Sequence, residues 1–414
     1  MILIGISASP GAAARKPGPP QWPFDIWAVE QDLWPHSKGQ GITVAVIDSG
    51  VQASVPDLAG AVIPGTDMEF GGDGRSDTNP EIPARGHGTQ MAALIAAGGQ
   101  GTGFMGVAPQ AKIMPVVAQR DAAVAKGIRY AADRGAKVIN LSVATAGPCP
   151  TDMQDAVTHA LDKGAVVVAG AGNDGNSSNA SMHPANCAGA LAVGAVDIDA
   201  RPWSKSQRQP YVTVAAPGVR AGSVGPEGKF DLNYSGTSDA SALTSGVAAL
   251  VRAKYPNMSN REVVRQIIAS AKDIGPQGRD EVTGYGFIRP YRIFQNMIPK
   301  NSPNPVFAAH DRQAKGSAKD SPATGKPGAD TSATDVPTLV FFVAAAVLAI
   351  GLMVVAFIRG RRNRSAPLPV APRQAPLVPG FPPSHPYPQQ PQPRQGPPPT
   401  RYDIPEQGDP QGRD

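Results

Sequence analysis

Between residues 41 and 271, short apolar runs rich in β-branched residues alternate with helical patterns, and few folds accommodate that alternation. The runs GITVAVIDSG (41–50), AKIMPVV (111–117), AKVINLSVA (136–144), AVVVAG (165–170) and ALAVGAV (190–196) are apolar on successive residues, not on every second one. A strand of that kind is buried on both faces. Between and after the runs lie helical segments: HGTQMAALIAAG (87–98), RDAAVAKGIRYAADRG (120–135, closing on a C-cap glycine) and TDMQDAVTHALDKG (151–164, opening on an N-cap threonine). Two more lie beyond them, TSDASALTSGVAALVRAKY (237–255) and SNREVVRQIIASA (259–271), the latter opening on a Ser259-x-x-Glu262 capping box. The fold class is therefore α/β, a parallel sheet covered by helices on both faces. Chemistry in such sheets collects at the carboxyl ends of the strands, so the residues just after each strand are the ones to weigh.

Asp48 ends the first strand in VAVIDSGV. A carboxylate there costs desolvation unless it has a partner. On that motif alone a turn or helix-capping aspartate is the better reading. His87 opens a helix in RGHGTQMAALIAA, where glycine on each side allows close backbone approach; alone, it reads as a surface or capping histidine. Ser238, in YSGTSDASALTSGVAAL, stands at a helix N-terminus, where the macrodipole favours negative charge. Ordinary N-cap serines are common, but the small residues Gly236, Ala240, Ser241, Ala242 and Gly246 let this helix be buried deeply.

GAGNDG (170–175) fits the G-x-G-x-x-G spacing of a dinucleotide loop. That loop needs a helix straight after the glycines to hold the pyrophosphate. The next residues, NSSNASMHPANC, have no helical period. A second match, GTGFMG (101–106), comes after a helix and before a strand, the reverse of the required order. Both matches are accidental on this reading, and the informative residue of the first is Asn173, an amide side chain at a strand end.

Together the three motifs are far more specific than any one. Asp48, His87 and Ser238 stand in the order Asp, His, Ser that one lineage of catalytic triads uses. On these stretches the chain resembles the subtilisin-like serine proteases from about Ile42 to Ile288, including GFMGVAPQAKIMPV after the histidine helix and GYGFIRP (284–290) near the domain end. The resemblance implies a three-layer subtilisin-like fold with a mostly parallel sheet, and a serine endopeptidase. It implies Ser238 as nucleophile, His87 as general base, Asp48 as the group that orients the imidazole, and Asn173 as an oxyanion donor beside the nucleophile's own N–H. It also implies that INLSVATAG (139–147) pairs with an extended substrate through Ser142, Val143 and Ala144. A plain core strand ending in a loop is the other reading of that segment, and both hold if only its last residues touch substrate. The chain departs from the family at Ala242, where proline is usual, and at the less usual Gln90 and Asp239. No cofactor is implied and no metal ligand set is assignable; structural calcium, frequent in the family, stays open.

The flanks add a topology. Residues 338–358 carry no charge over 21 positions, enough to cross a hydrocarbon core of ~30 Å. RGRRNR comes at once after them, which places the C-terminal side in the cytoplasm. Residues 359–414 hold eight arginines against four acids, a net +4 of the chain's +5, so the basic balance is no nucleic-acid footprint on the folded part. The same tail holds sixteen prolines after Ser365. The expected organisation is a short or truncated signal peptide (1–14), an N-terminal extension (15–40), a peptidase domain (41–299), a flexible Ser/Pro/Ala/Lys/Gly-rich stalk (300–335), a transmembrane helix (336–358) and a basic, then proline-rich, cytoplasmic tail (359–414). That order resembles the mycosins, membrane-anchored subtilases of actinobacterial type VII secretion. The segment QWPFDIWAVEQDLWPHSKGQGITVAVIDSGV looks like their N-terminal extension running into Asp48. About 27 residues separate Ala14 from the first strand, too few for an inhibitory prodomain; the resemblance to the mycosins implies that the extension wraps the domain. The implied partners are a protein or peptide substrate, a membrane crossed once, and type VII secretion machinery. The alternative is a domain that braces a secretion complex with proteolysis weak or absent. Export favours a Cys149–Cys187 disulfide over two free thiols.

Overall fold

The computed structural model describes residues 19–82 and 84–320. The expected signal segment, transmembrane run and cytoplasmic tail lie outside the described residues. Among the described residues no helix is long and apolar enough to cross a membrane.

In chain order the strands are β1 (Thr43–Asp48), β2 (Thr66–Asp67), β3 (Lys112–Val117), β4 (Val138–Leu141), β5 (Thr145–Ala146), β6 (Val166–Gly170), β7 (Met182–His183), β8 (Leu191–Val196), β9 (Val214–Pro217), β10 (Ser223–Val224) and β11 (Phe230–Asp231). Seven of them form one parallel sheet in the order β2-β3-β1-β4-β6-β8-β9. Residues of β6 and β8 are buried without exception, as uninterrupted apolar runs require. The chain leaves β1 for β3 on one side and later returns to place β4 on the other. Asp48, paired with Val117, therefore ends the strand at which the order reverses. That switch point is where an open α/β sheet leaves a crevice.

The helices are α1 (Trp22–Trp27), α2 (His87–Ala96), α3 (Asp121–Asp133), α4 (Thr151–Asp162), α5 (Thr237–Lys254), α6 (Asn260–Ser270), α7 (Tyr291–Phe294) and α8 (Pro305–Asp320). α2 and α5 pack together on one face, α5 lying across β4, β6, β8 and β9. α3 and α4 pack together against β1, β3, β4 and β6. Fifteen of the eighteen residues of α5 are buried, which its small side chains permit. A Cβ on Gly246 would lie 2.9 Å from Val107 Cβ, so a larger residue there would push the helix off its neighbour.

Local signals account for most helix ends. Ser259 accepts the Glu262 N–H at 3.2 Å, and α3 stops at Gly135, whose φ of +80° closes the last turn. α4 differs from expectation: Thr151 is its first helical residue and Pro150 is the N-cap, without a side-chain cap. Pro150 already supplies a rigid extended entry, and the missing amide of such a ring is no loss just before a helix.

Residues 22–33 pack into the core through Phe24, Trp27, Val29 and Leu33. Three indoles donate to distant carbonyls: Trp22 to Arg220 O (3.0 Å), Trp27 to Ile288 O (3.1 Å) and Trp34 to Val107 O (2.8 Å). Trp27 buries its large apolar body, and the half-buried Trp22 and Trp34 pack theirs in part, each while satisfying its one donor. The expected flexible stalk is corrected over its first part, since residues 305–320 form α8. Val306 and Phe307 are buried, Asn304 accepts the Phe307 N–H, and Arg261 pairs with Asp311 at 2.9 Å through both oxygens. Two apolar anchors in a polar stretch are enough to dock a helix that composition reads as a linker.

Cys149 and Cys187 are disulfide-bonded, their Cα atoms 5.2 Å apart. The bond joins the segment after β5 to the segment after β7, two strands that themselves pair antiparallel. It closes a loop of 38 residues in sequence separation. The chain-entropy cost of opening it is about 3–4 kcal/mol. Replacing both cysteines by serine should lower the urea unfolding free energy by that amount. A loss under about 1 kcal/mol would mean that the β5–β7 pairing already closes the loop in the unfolded ensemble.

Candidate active site

Asp48 is fully buried at the end of β1. Its Oδ1 accepts the Ser49 N–H at 2.7 Å, and His87 Nδ1 lies 2.8 Å and 2.9 Å from its two oxygens. His87 is the first residue of α2 and keeps 29% of its side chain exposed. The glycine after it is obligatory: a Cβ on Gly88 would stand 2.1 Å from Gly50 O and 3.0 Å from Asp48 Cβ. Only a bare backbone lets the helix start against the strand end.

A second buried carboxylate holds that helix start. Asp77 Oδ1 accepts the Gly86 N–H at 2.7 Å; its Oδ2 accepts the Thr89 N–H at 2.9 Å and the Thr89 hydroxyl at 2.5 Å. Ser49 Oγ takes the Gly88 N–H at 2.9 Å. The orphan amides at the N-terminus of α2 are thus satisfied by residues far away in sequence. Burial raises the Asp77 carboxyl above its usual range, against the hydrogen bonds from Thr89, Gly86 and Ser49. For His87, burial opposes the charged form, but the adjacent Asp48 outweighs it through charge and hydrogen bond. With Asp239 and Asp77 adding to Asp48, the imidazole is raised to about 9.

Ser238 is the second residue of α5 and half-buried. Its Oγ lies 3.5 Å from Ser142 O. Among the described residues no hydrogen bond joins it to His87; such bonds commonly tighten only once substrate is seated. A polar ladder ties the strand β4 to the start of α5. Ser245 Oγ donates to Asn140 Oδ1 (3.1 Å), and Asn140 Nδ2 donates to Ser142 Oγ (3.0 Å). The Ser142 hydroxyl sits 3.0 Å from Ser241 Oγ and 3.3 Å from Ser238 O. The Ser142 side chain is therefore turned inward. Its carbonyl, the half-buried Val143 and the exposed Ala144 are what the segment presents outward.

Asn173 is exposed, three residues past the end of β6. Its Oδ1 accepts the Thr237 N–H (2.9 Å) and the Thr237 hydroxyl (3.0 Å), and Thr237 Oγ1 accepts the Gly172 N–H (3.0 Å). With its oxygen so engaged, the amide presents Nδ2. A Cβ placed on Gly236 would lie 3.6 Å from Asn173 Nδ2 and 3.5 Å from Ser238 N, so both donors border one small space. Gly236, having no Cβ, leaves that space open.

The structure thus joins Asp48 to His87, and brings Asn173 and Ser142 to the helix turn that carries Ser238. Asp77, Thr237 and the burial of Asp239 carry no signal in the sequence. Their partners lie across the fold, and neither periodicity nor capping patterns reach that far. Among the described residues no group of three or more His, Cys, Asp or Glu side chains is placed to hold a metal ion.

A parallel sheet with a histidine–carboxylate pair at its switch point, and a serine at the N-terminus of a buried helix, is the arrangement of the subtilisin-like serine endopeptidases. The chain belongs to the subtilase family, whose model matches residues 39–286. Mycosin-3 of Mycobacterium tuberculosis is 33% identical over 342 residues, covering 67% of this chain and 71% of that protein. Fervidolysin of Fervidobacterium pennivorans is 34% identical over 328 residues, and the chain covers 46% of its length. Among solved structures, the MycP3 protease from the type VII (ESX-3) secretion system superposes with a TM-score of 0.59 at 31% identity, covering 67% of this chain and 89% of that one. MycP1 with its N-terminal propeptide removed gives a TM-score of 0.60 at 29% identity, covering 68% and 99%.

Proposed function

We propose that the chain is a membrane-anchored, extracytoplasmic serine endopeptidase of the mycosin kind, acting within type VII secretion. The observation that carries the catalytic part is the two-oxygen contact of Asp48 with His87 Nδ1. It fixes a proton on Nδ1 and leaves Nε2 to act as base. Ser238 attacks the peptide carbonyl, His87 takes its proton and returns it to the leaving amine, and water then releases the acyl group by the same route. The negative oxygen of each tetrahedral state falls between Asn173 Nδ2 and Ser238 N. The substrate lies extended along Ser142–Ala144, where outward backbone groups give affinity regardless of sequence. Nucleophile, base and oxyanion donors are all protein groups, so the reaction draws on no cofactor. The anchoring and secretion roles rest on the uncharged run at 338–358, the basic residues after it, and the likeness to mycosin-3 and the MycP structures.

Labelling with a peptidyl or alkyl fluorophosphonate tests the catalytic reading. The intact chain should label and a Ser238→Ala chain should not. Equal, absent labelling of both would favour the alternative, a subtilase domain that braces a secretion complex.

Replacing Asn173 by leucine removes one oxyanion donor and unties Thr237. Turnover should fall about 10²–10³-fold with KM nearly unchanged, the scale measured for the same donor in subtilisin. Steady-state kinetics on a peptidyl p-nitroanilide read this directly. A rise in KM with turnover unchanged would mean that the amide binds ground state and transition state alike.

A further inference from the structure

We propose that His183 and Asp121 are positioning residues for substrate: together they fix the exposed segment 144–147, and so hold Ser142–Ala144 in the extended form with which a peptide can pair. This rests on the substrate reading above and adds to it two residues that no motif supplies.

Apolar burial does not hold this segment. Ala144, Thr145 and Ala146 are exposed, and Val143 before them is half-buried. The chain has left the parallel sheet at Leu141. A surface segment of that kind is ordered only by specific contacts; without them a bound peptide would have to order it. One set of contacts comes from β7. Thr145 pairs with His183 and Ala146 with Met182, and the Gly147 N–H donates to Ser181 O at 2.8 Å. Asn186 Nδ2 donates to Gly147 O, also at 2.8 Å. The Cys149–Cys187 bond ties the chain two residues further on.

The other contacts run through a triangle of side chains. His183 is only 4% exposed. Its Nε2 stands 3.0 Å from Asp121 Oδ2, and its Nδ1 stands 3.5 Å from Gly147 O. The Thr145 hydroxyl donates to Asp121 Oδ1 at 3.1 Å. Asp121 thus meets both strands of the β5–β7 pair, one through Thr145 and the other through His183. Thr145 directly follows Ala144, so fixing it fixes the end of the backbone that substrate meets.

A first-turn aspartate ordinarily complements its own helix N-terminus. Both Asp121 oxygens are instead met from outside α3, by residues of β5 and β7. An apolar side chain at 183 would fill the core as well; the imidazole adds a nitrogen on each edge, one beside a carboxylate and one beside a carbonyl. The point of attachment is itself rigid, since Glu69 accepts the Gln119 and Arg120 N–H groups just before α3 at 2.9 Å and 3.0 Å. The start of α3 therefore serves as a post to which the segment is tied, while β7 and the disulfide tie it from elsewhere. A peptide that meets a segment already extended loses less ordering entropy on binding.

The test has two arms on the full chain, in the wild type, Asp121→Ala and Asp121→Asn. Position 121 is chosen because its side chain is 42% exposed, so its loss leaves the packed core in place. In the first arm, kcat/KM is measured for p-nitrophenyl acetate, which needs Ser238 and His87 but no extended segment. It is measured in parallel for the tetrapeptide p-nitroanilide that the wild type cleaves fastest in a panel. Asp121→Ala should lower the tetrapeptide value about tenfold relative to the ester value, the factor that one lost charge-assisted hydrogen bond gives, with most of the loss in KM. Asp121→Asn keeps an oxygen for the Thr145 hydroxyl and should lie between. Equal losses on both substrates, or no loss on either, overturn the proposal. In the second arm, hydrogen exchange of the Gly147 amide is followed. It should speed up about tenfold in Asp121→Ala while β4 and β6 keep their protection. Unchanged exchange at Gly147 overturns the proposal. Exchange needs no turnover: a chain that fails to label at Ser238 sinks the enzymatic reading, and one that labels but shows neither change sinks the positioning role alone.

Discussion

Ser238→Ala should lower turnover about 10⁶-fold, the scale found for removing the nucleophile of subtilisin. The loss is so large because the serine is the only group that forms the acyl bond; His87 without it has nothing to deprotonate but water. The fold should be indifferent. Ser238 is half-buried, and its Oγ makes one long contact, 3.5 Å to Ser142 O. The ladder through Ser142, Ser241, Asn140 and Ser245 reaches the Ser238 backbone carbonyl, which alanine keeps. Unfolding free energy should therefore change by under about 0.5 kcal/mol. Residual hydrolysis over water should persist, because Asn173 and the residue-238 amide still bracket the oxyanion site. Hydrolysis of a p-nitroanilide measures the loss, with the wild-type active fraction counted by phosphonate titration and the variant counted by absorbance. A fall under 100-fold would mean that another group supplies the nucleophile.

Much of this site is legible in the residues themselves. β1, β3, β4, β6 and β8 announce themselves because a strand buried on both faces must be apolar at every position, and few other elements look like that. The glycines around His87 read as close approaches, and Gly88 is one, within 2.1 Å of Gly50 O if it carried a Cβ. Asn173 stands out only once the helix demanded by a dinucleotide loop fails to appear after it. Sequence does not display anything whose partner is fixed by the third dimension. Asp77 caps α2 from nine residues ahead of Gly86, across a loop whose Asn79-Pro80 turn signal says nothing of that contact. Thr237, beside the nucleophile in sequence, is also the clamp that orients Asn173. α8 is hidden by an average: its segment is polar overall, and two residues, Val306 and Phe307, do the docking.

The departures from the family pattern are informative in the same physical way. A proline at 242 would lack the amide that an α-helix directs to the carbonyl four residues back, that of Ser238. Alanine keeps that amide, and α5 runs unbroken from Thr237 to Lys254. The Ser238 carbonyl, already approached by the hydroxyls of Ser241 and Ser142, is held on every side. Loss of the proline thus leaves the nucleophile's turn fixed by hydrogen bonds instead of by ring geometry.

Asp48→Asn should cost about 10⁴-fold in turnover while leaving KM close to its original value. The substitution preserves shape: an asparagine oxygen can still accept the Ser49 N–H that Asp48 holds at 2.7 Å. It removes the acceptor charge under His87 Nδ1. An amide N–H facing that nitrogen favours the tautomer with the proton on Nε2, and an Nε2 that already carries a proton cannot take one from Ser238. A tautomer error of this kind costs about 10⁴ in serine proteases of another fold, and loss of the equivalent aspartate costs about 3 × 10⁴ in subtilisin. The pH dependence of stability should change with it. His87 is raised from 6.5 to about 9, so its pairing adds stability that is complete below pH 6.5 and is lost as pH rises through 9. In Asp48→Asn most of that slope should disappear, measured as urea midpoints between pH 6 and 10. Activity and slope test different parts of one arrangement. If turnover collapses while the stability slope remains, Asp239 and Asp77 hold the imidazolium without Asp48, and orientation is the sole function of Asp48. If turnover stays within tenfold of wild type, His87 is oriented by some other group, and the Asp48–His87 contact is structural.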